Sequence, residues 1–529
     1  MRPFARLSGP VAPAALVLAA VTGGFATIAA QQASQPRPTA GTKQILSDLN
    51  APGIDRGLRD ADVPRPARSS SGRRFVTDTA GSAYLGDSLI VRFKPGTLPA
   101  AQLALLAQVA ATPRPALSYA DFDIVTLSNG DDPEAVARRL SAQPDVEYAQ
   151  ARYRVRPLFA PTDPLYPRQW NFPQIDMERA WDINRGASTS VVVAVVDTGV
   201  AFRSATLRYT ASSWRRGDGV VFPALGTVDV PFAAAPDLGT DRYVSPRDFI
   251  WDDLLPFDLA GHGTHVAGTI AQLSNNGMSG AGIAFNAKLM PVKVIDTEWD
   301  FIFDSPFFGT DDTVARGIRY AADNGAKVIN LSLGRDDDAP APVVRSAIEY
   351  AVSHGAFVAV AGGNSANDVV RPNATERYAE FAPQIDGMVA VGATGPDRQR
   401  APYSTTGNYI ELVAPGGDFG PNGANALGGI LQQTLDLDLI ESFAGPVSRY
   451  RSPRFDVFAD FYFEGSSMST AHVSGLAALL VSQGVTNPAA IEAIMKQSAT
   501  DLGTPGRDNE TGYGLINARG ALRGLGVAR

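Results

Sequence analysis

The chemistry open to this chain narrows at two residue types. Of its 529 residues none is cysteine and four are histidine: His262, His265, His354 and His472. The missing cysteine removes disulfides, thiolate nucleophiles and cysteine-ligated zinc together. Any mechanism that carries a proton on imidazole must draw on those histidines. Three segments set such residues where other groups can reach them. Val191-Val-Val-Ala-Val-Val-Asp197-Thr-Gly ends an apolar run on an aspartate, which alone is as readily a turn or helix cap as a reactive carboxylate. Gly261-His262-Gly-Thr-His265-Val-Ala-Gly opens a helix on a histidine between glycines, where another backbone can come close. Gly465-Ser-Ser467-Met-Ser-Thr-Ala-His472-Val-Ser-Gly runs a small-residue turn into an apolar helix. Ser467 then sits beside backbone N–H groups and the positive end of a helix dipole, although a lone serine there is equally a cap. His262 and His265 also raise the question of a metal pair. Helical zinc pairs are spaced by four with a glutamate between, so His265 reads instead as a packed histidine on a buried face.

These residues need a frame that brings them to one edge. From about residue 170, apolar runs at 191–196, 288–294, 327–332, 356–361 and 388–391 alternate with helical patterns at 263–273, 311–324 and 343–354. Strands that are apolar throughout, separated by helices, predict an α/β fold with a parallel sheet covered on both faces. Such sheets gather their chemistry at the carboxyl ends of the strands. Asp197 closes one run and Ala361-Gly-Gly-Asn364 closes another. Upstream the pattern is different. Strand-like segments at 88–93, 122–127 and 146–149 and helical ones at 100–111 and 132–142 predict a small α+β module. Residues 31–83, rich in Pro, Gly, Ser, Arg and Asp, read as a flexible linker, and 157–167 as a Pro-rich connection. Residues 1–30 read as a secretory signal: Arg2 and Arg6, an apolar stretch, then Ala29-Ala30 before Gln31-Gln32.

Together the three reactive segments resemble the subtilase family, the subtilisin-like serine proteases of peptidase family S8, over about residues 165–525. Their order along the chain, Asp then His then Ser, is that of subtilisin. Pro505-Gly-Arg-Asp-Asn-Glu-Thr-Gly-Tyr-Gly-Leu-Ile-Asn-Ala is similar to the family's closing segment. The resemblance implies a three-layer subtilisin-like fold and a secreted endopeptidase in which Asp197, His262 and Ser467 form the catalytic triad. It implies an oxyanion hole of the Asn364 side chain and the Ser467 N–H. Leu331, Ser332, Leu333 and Gly334, with Ala361, Gly362 and Gly363, would pair with an extended peptide and wall the primary specificity pocket. The α+β module is similar to the ferredoxin-like subtilase propeptide, an intramolecular inhibitor and folding chaperone. The expected division is therefore signal peptide 1–30, linker 31–83, propeptide 84–157 and catalytic domain 158–529, with cleavage of the zymogen within 152–167.

The departures are specific. Ser466 stands where the family usually has Thr, and Ala471 where it has Pro. Long insertions at 203–257 and 418–463 should emerge near the cleft, to shape substrate binding or to decorate the surface. No cofactor is implied for the chemistry, while a structural calcium is implied at Asn275 and Asn276, in Leu273-Ser-Asn-Asn-Gly-Met-Ser-Gly. Against it, the aspartate expected soon after Asp197-Thr-Gly is missing from Ala201-Phe-Arg-Ser-Ala-Thr. A net charge of −8 argues against a nucleic-acid partner. The expected partners are protein or peptide substrates and the chain's own propeptide, with no membrane contact once the signal is removed, and the resemblance favours a monomer. The α/β-hydrolase esterases would need Gly-x-Ser-x-Gly with serine first, and neither holds. The alternative function is an inactive, secreted binding protein on the same fold.

Overall fold

Two separate sets of apolar residues build two separately packed units, divided at residues 157 and 158. The structure, a computed structural model, describes residues 75–77, 83–114, 120–128, 130–153, 159–215, 221–437 and 453–523. The expected signal segment and most of the expected linker lie outside the described residues.

The N-terminal unit contains β1 (Phe75–Thr77), β2 (Ala83–Phe93), α1 (Pro99–Gln108), β3 (Ala111–Pro113), β4 (Asp123–Leu127), α2 (Pro133–Ser141) and β5 (Val146–Tyr153). Its main strands lie in the order β5-β2-β4-β3, all antiparallel, the ferredoxin-like arrangement. Leu89, Val91, Leu106, Val125, Val136 and Leu140 form its core. Asp132 caps α2 by accepting from the N–H groups of Glu134 and Ala135, a cap worth about 1 kcal/mol. The same carboxylate accepts from the Tyr84 hydroxyl at 2.6 Å, which ties the helix to the central strand. β1 pairs with β2 inside the stretch expected to be linker, so ordered pairing begins before residue 84.

The C-terminal unit is built on seven parallel strands: β6 (Val192–Asp197), β9 (Arg247–Asp248), β10 (Lys288–Lys293), β11 (Val328–Leu331), β12 (Phe357–Ala361), β13 (Met388–Thr394) and β14 (Leu412–Pro415). Their order is β9-β10-β6-β11-β12-β13-β14. The strands β11 to β14 are buried at every residue, which requires cover on both faces. Helices α3 (His262–Ala271) and α7 (Ser466–Ser482) pack on one another and on the sheet. So do α5 (Asp311–Asp323) and α6 (Pro342–Ser353). The expected three-layer α/β architecture is present. Strand order reverses about β6, with β10 on one side and β11 on the other, and a crevice opens at such a point beyond the carboxyl ends of the strands.

Both insertions fold back on this frame. The first forms the hairpin β7 (Ala205–Ala211) and β8 (Gly226–Phe232), then supplies edge strand β9. The second forms the hairpin β15 (Ile430–Leu435) and β16 (Phe458–Phe463), with β15 against α3. The two insertions meet: Phe455 N–H donates to Pro231 O at 2.8 Å, and Phe232 stacks on Phe257 and Phe455. They extend the core rather than decorate it. The expected Pro-rich connection is likewise packed, since Phe159 lies edge-on to Trp181 and its N–H donates to Asp182.

Lys293 ends β10 directly beside Asp197 in the ladder. Its ammonium and the Asp300 carboxylate of α4 (Glu298–Ile302) are 2.9 Å apart, and both side chains are 0% exposed. Thr297 and the Trp251 indole also donate to Asp300. Breaking such a pair from one side strands a buried charge, and Asp300→Ala is expected to cost about 3–5 kcal/mol, read as a lowered thermal midpoint. The double change Lys293→Met with Asp300→Leu should recover most of that loss. An unchanged midpoint in Asp300→Ala would refute the burial of the pair.

Candidate active site

Asp197 is the last residue of β6 and is fully buried. Its Oδ1 lies 2.7 Å from Nδ1 of His262, the first residue of α3. A carboxylate at Nδ1 fixes the proton there and leaves Nε2 as the basic nitrogen. Asp197 Oδ2 is buried and accepts no hydrogen bond from a described group. Gly263 permits this approach: a Cβ there would fall 2.1 Å from Gly199 O and 3.1 Å from Asp197 Oδ1.

A second buried carboxylate holds this joint together. Asp258, 1% exposed, accepts from the hydroxyl groups of Thr198 and Thr264 and from the N–H groups of Ala260, Gly261 and Thr264. Thr198 in turn accepts from Gly263 N–H at 3.0 Å. Strand end and helix start are thus tied through one side chain. Burial of the His262 ring works against its charge, but Asp197, by charge and hydrogen bond, and Asp258, by charge, prevail and raise its pKa above 6.5.

Ser467 lies in the first turn of α7, four residues after the end of β16 and two after Gly465 with its φ of 149°. Its hydroxyl donates to Ser332 O at 3.1 Å, and Ser332 Oγ donates back to Ser467 O at 2.8 Å. No hydrogen bond joins Ser467 to His262 among the described residues. Asn364 follows β12, and its Oδ1 accepts from Ser466 N–H at 2.8 Å. The place where a side chain on Gly465 would begin lies 3.5 Å from Asn364 Nδ2 and 3.8 Å from Ser467 N, so both donors converge on one small space. Ser466 has a use for its hydroxyl, which accepts from Gly363 N–H at 3.2 Å.

Leu331 and Ser332 are buried at the end of β11, Leu333 is half-buried and Gly334 is exposed. Leu333 and Gly334 make no backbone hydrogen bond with a described group, which leaves a free edge. Ala361 ends β12 and is buried with the following Gly362, and Gly363 is half-buried. The other histidines take no part. His472 is fully buried; its Nδ1–H donates to Met468 O and its Nε2 accepts from Asn171. His265 stacks on Phe463 with ring centres 4.2 Å apart, and its Nε2 faces the carbonyls of Ile430 and Phe461. Burial lowers the pKa of His265 to about 3 and that of His472 to about 4, so both are neutral packing residues.

The loop of Asn275 and Asn276 is closed by hydrogen bonds. Asp163 accepts from both their N–H groups, Asn275 Oδ1 accepts from Thr162 N–H, and Asn276 Oδ1 accepts from Met278 N–H. Asp237, at the foot of the β7–β8 hairpin, accepts from the side-chain amides of Asn276 and Gln272. These oxygens are engaged by N–H donors, and among the described residues no group of three His, Cys, Asp or Glu side chains is placed to hold a metal ion.

Residues 188–514 match the Subtilase family, peptidase S8, and residues 72–151 match the N-terminal prodomain of fervidolysin. The chain is 30% identical over 444 residues to a thermophilic serine proteinase of Bacillus sp. strain AK1, covering 83% of this chain and 88% of that one. It is 28% identical to an extracellular basic protease of Dichelobacter nodosus, covering 76% and 62% of the two chains. A protease of Pseudoalteromonas arctica PAMC 21717 superposes with a TM-score of 0.51 at 26% identity, over 69% of this chain and 100% of that one. With its catalytic unit and its prodomain each matched, the chain belongs to the subtilase family of serine endopeptidases.

Proposed function

We propose that Ser467 cuts peptide bonds with His262 as its base and Asp197 as the orienting carboxylate. The observation that carries this reading is the 2.7 Å contact from Asp197 Oδ1 to His262 Nδ1, which leaves Nε2 as the basic nitrogen. A peptide lies as an added strand along Leu333 and Gly334, facing Ala361, Gly362 and Gly363. Ser467 Oγ leaves Ser332 O, gives its proton to Nε2 and attacks the scissile carbonyl. The oxyanion is received by Asn364 Nδ2 and Ser467 N–H. His262 returns the proton to the departing amine, and water then opens the acyl-enzyme by the same route. No cofactor enters these steps.

The chain acts, in this reading, as a secreted zymogen. Support comes from the signal-like residues 1–30, from the word extracellular in the name of the Dichelobacter relative, and from the prodomain match ahead of the catalytic unit. No described helix is long and apolar enough to cross a membrane. The module at 84–157 serves as inhibitor and folding aid for the domain at 158–529 and is cut away within 152–167, releasing a monomer.

Three outcomes are expected. Fluorophosphonate labelling and casein cleavage vanish in Ser467→Ala, and a wild type that folds but neither labels nor cleaves would end the proposal. Asn364→Leu lowers kcat about 10²–10³-fold with little change in KM, since the donor acts on charge formed in the transition state. Because His262 works as a neutral base and its pKa is raised, kcat/KM falls on the acid side with a midpoint above 6.5. Asp258→Asn removes one of the charges that raise it and moves that midpoint down, and a pH profile unchanged in this variant would contradict the electrostatic role of Asp258.

A further inference from the structure

Beside the cleft lies a carboxyl group that forms no ion pair with a described residue. Glu376 is 7% exposed, and its Oε1 accepts from the N–H groups of Arg335 at 2.7 Å and Tyr378 at 3.3 Å. Its Oε2 accepts no hydrogen bond from a described group, yet it is not sealed from solvent. The nearby guanidinium groups are engaged elsewhere: Arg335 with Asp311 and Asp337, Arg377 with Asp338 and Glu380. Burial, with the charge of Asp336, pushes the Glu376 carboxyl up to about 8, outweighing the two N–H donors and the Arg335 charge that pull it down. Held there, the acid is neutral near pH 7 in the empty protein, and a cation brought beside it lowers that pKa and draws out its charge.

Its position says which ligand. The missing side chain of Gly334 is what admits the carboxylate, since a Cβ there would lie 1.9 Å from Glu376 Oε1 and 2.6 Å from Oε2. On the facing segment, a Cβ on Gly363 would lie 3.3 Å from the Cβ of Glu376. The carboxylate is wedged between the two segments assigned above as walls of the primary specificity pocket. We propose that Glu376 selects the substrate residue whose carbonyl is attacked, and that this chain cleaves after lysine or arginine. The proposal rests on the assignment of those pocket walls. A long cationic side chain entering between them meets Oε2 with a charged donor. An apolar one covers Oε2 and leaves it without any donor, which is the larger penalty.

The test is a set of peptides identical except for the residue before the scissile bond: Lys, Arg, Gln, Leu, Phe or Ala. kcat/KM is measured with enzyme whose active sites are counted by fluorophosphonate labelling. Lys and Arg are expected to exceed Leu and Phe by about tenfold or more. Glu376→Gln keeps an acceptor for Arg335 N–H but no charge; it should erase that margin while cleavage after Leu holds or rises. A wild-type profile led by Leu, Phe or Ala, or a margin unaltered in Glu376→Gln, overturns the proposal and leaves the protease reading intact. Absence of both labelling and cleavage in the wild type overturns both. If the variant loses labelling, the wild-type profile alone decides.

Discussion

The joint between the end of β6 and the start of α3 is the constraint on which the site depends. Two elements that meet at the carboxyl edge of a parallel sheet present bare N–H groups and side chains that must be satisfied without water. Asp258 satisfies five of these groups with one carboxylate, and Thr198 carries the same connection on to Gly263. The distance between Asp197 and His262 is therefore set by the joint and not by the two side chains alone. The same carboxylate acts on His262 through space, so position and basicity share one source.

The rest of the fold braces this joint from two sides. Lys293 and Asp300 close the end of β10 next to Asp197, with the first insertion contributing Trp251. The second insertion lays β15 and Phe463 against α3, where His265 stacks on Phe463 and faces Ile430 O. Aromatic stacking between Phe232, Phe257 and Phe455 joins the insertions to each other. A substitution in either insertion is thus felt at the helix that bears His262, through packing that has no slack to absorb it.

What could be read from the sequence followed from local pattern. The strands 192–197, 288–293 and 357–361 are apolar through their interiors, and the three reactive segments carry their glycines and small residues within a few positions. What could not be read came from contacts between distant residues. Asp237 reaches Asn276 only because the β7–β8 hairpin closes behind it. Glu376 looks like a surface acid until Gly334 leaves room for it. The hydroxyl of Ser467 donates to Ser332 O, a contact that no motif encodes. The strand Phe75–Thr77 and the packed Phe159 sit in stretches whose Pro and polar content hides them, because one strand partner or one aromatic contact suffices to order a short segment.

An endopeptidase lives among copies of itself, and a segment must be drawn out as a free strand before a neighbour can cut it. Each hairpin has already engaged the main-chain groups of its paired edge: Gly226 to Phe232 on β7, and Ile430 to Leu435 on β16. With no cysteine in the chain to bolt its loops shut, this internal pairing is what withholds them from autolysis. The lifetime of the enzyme is then governed by how seldom those ladders open.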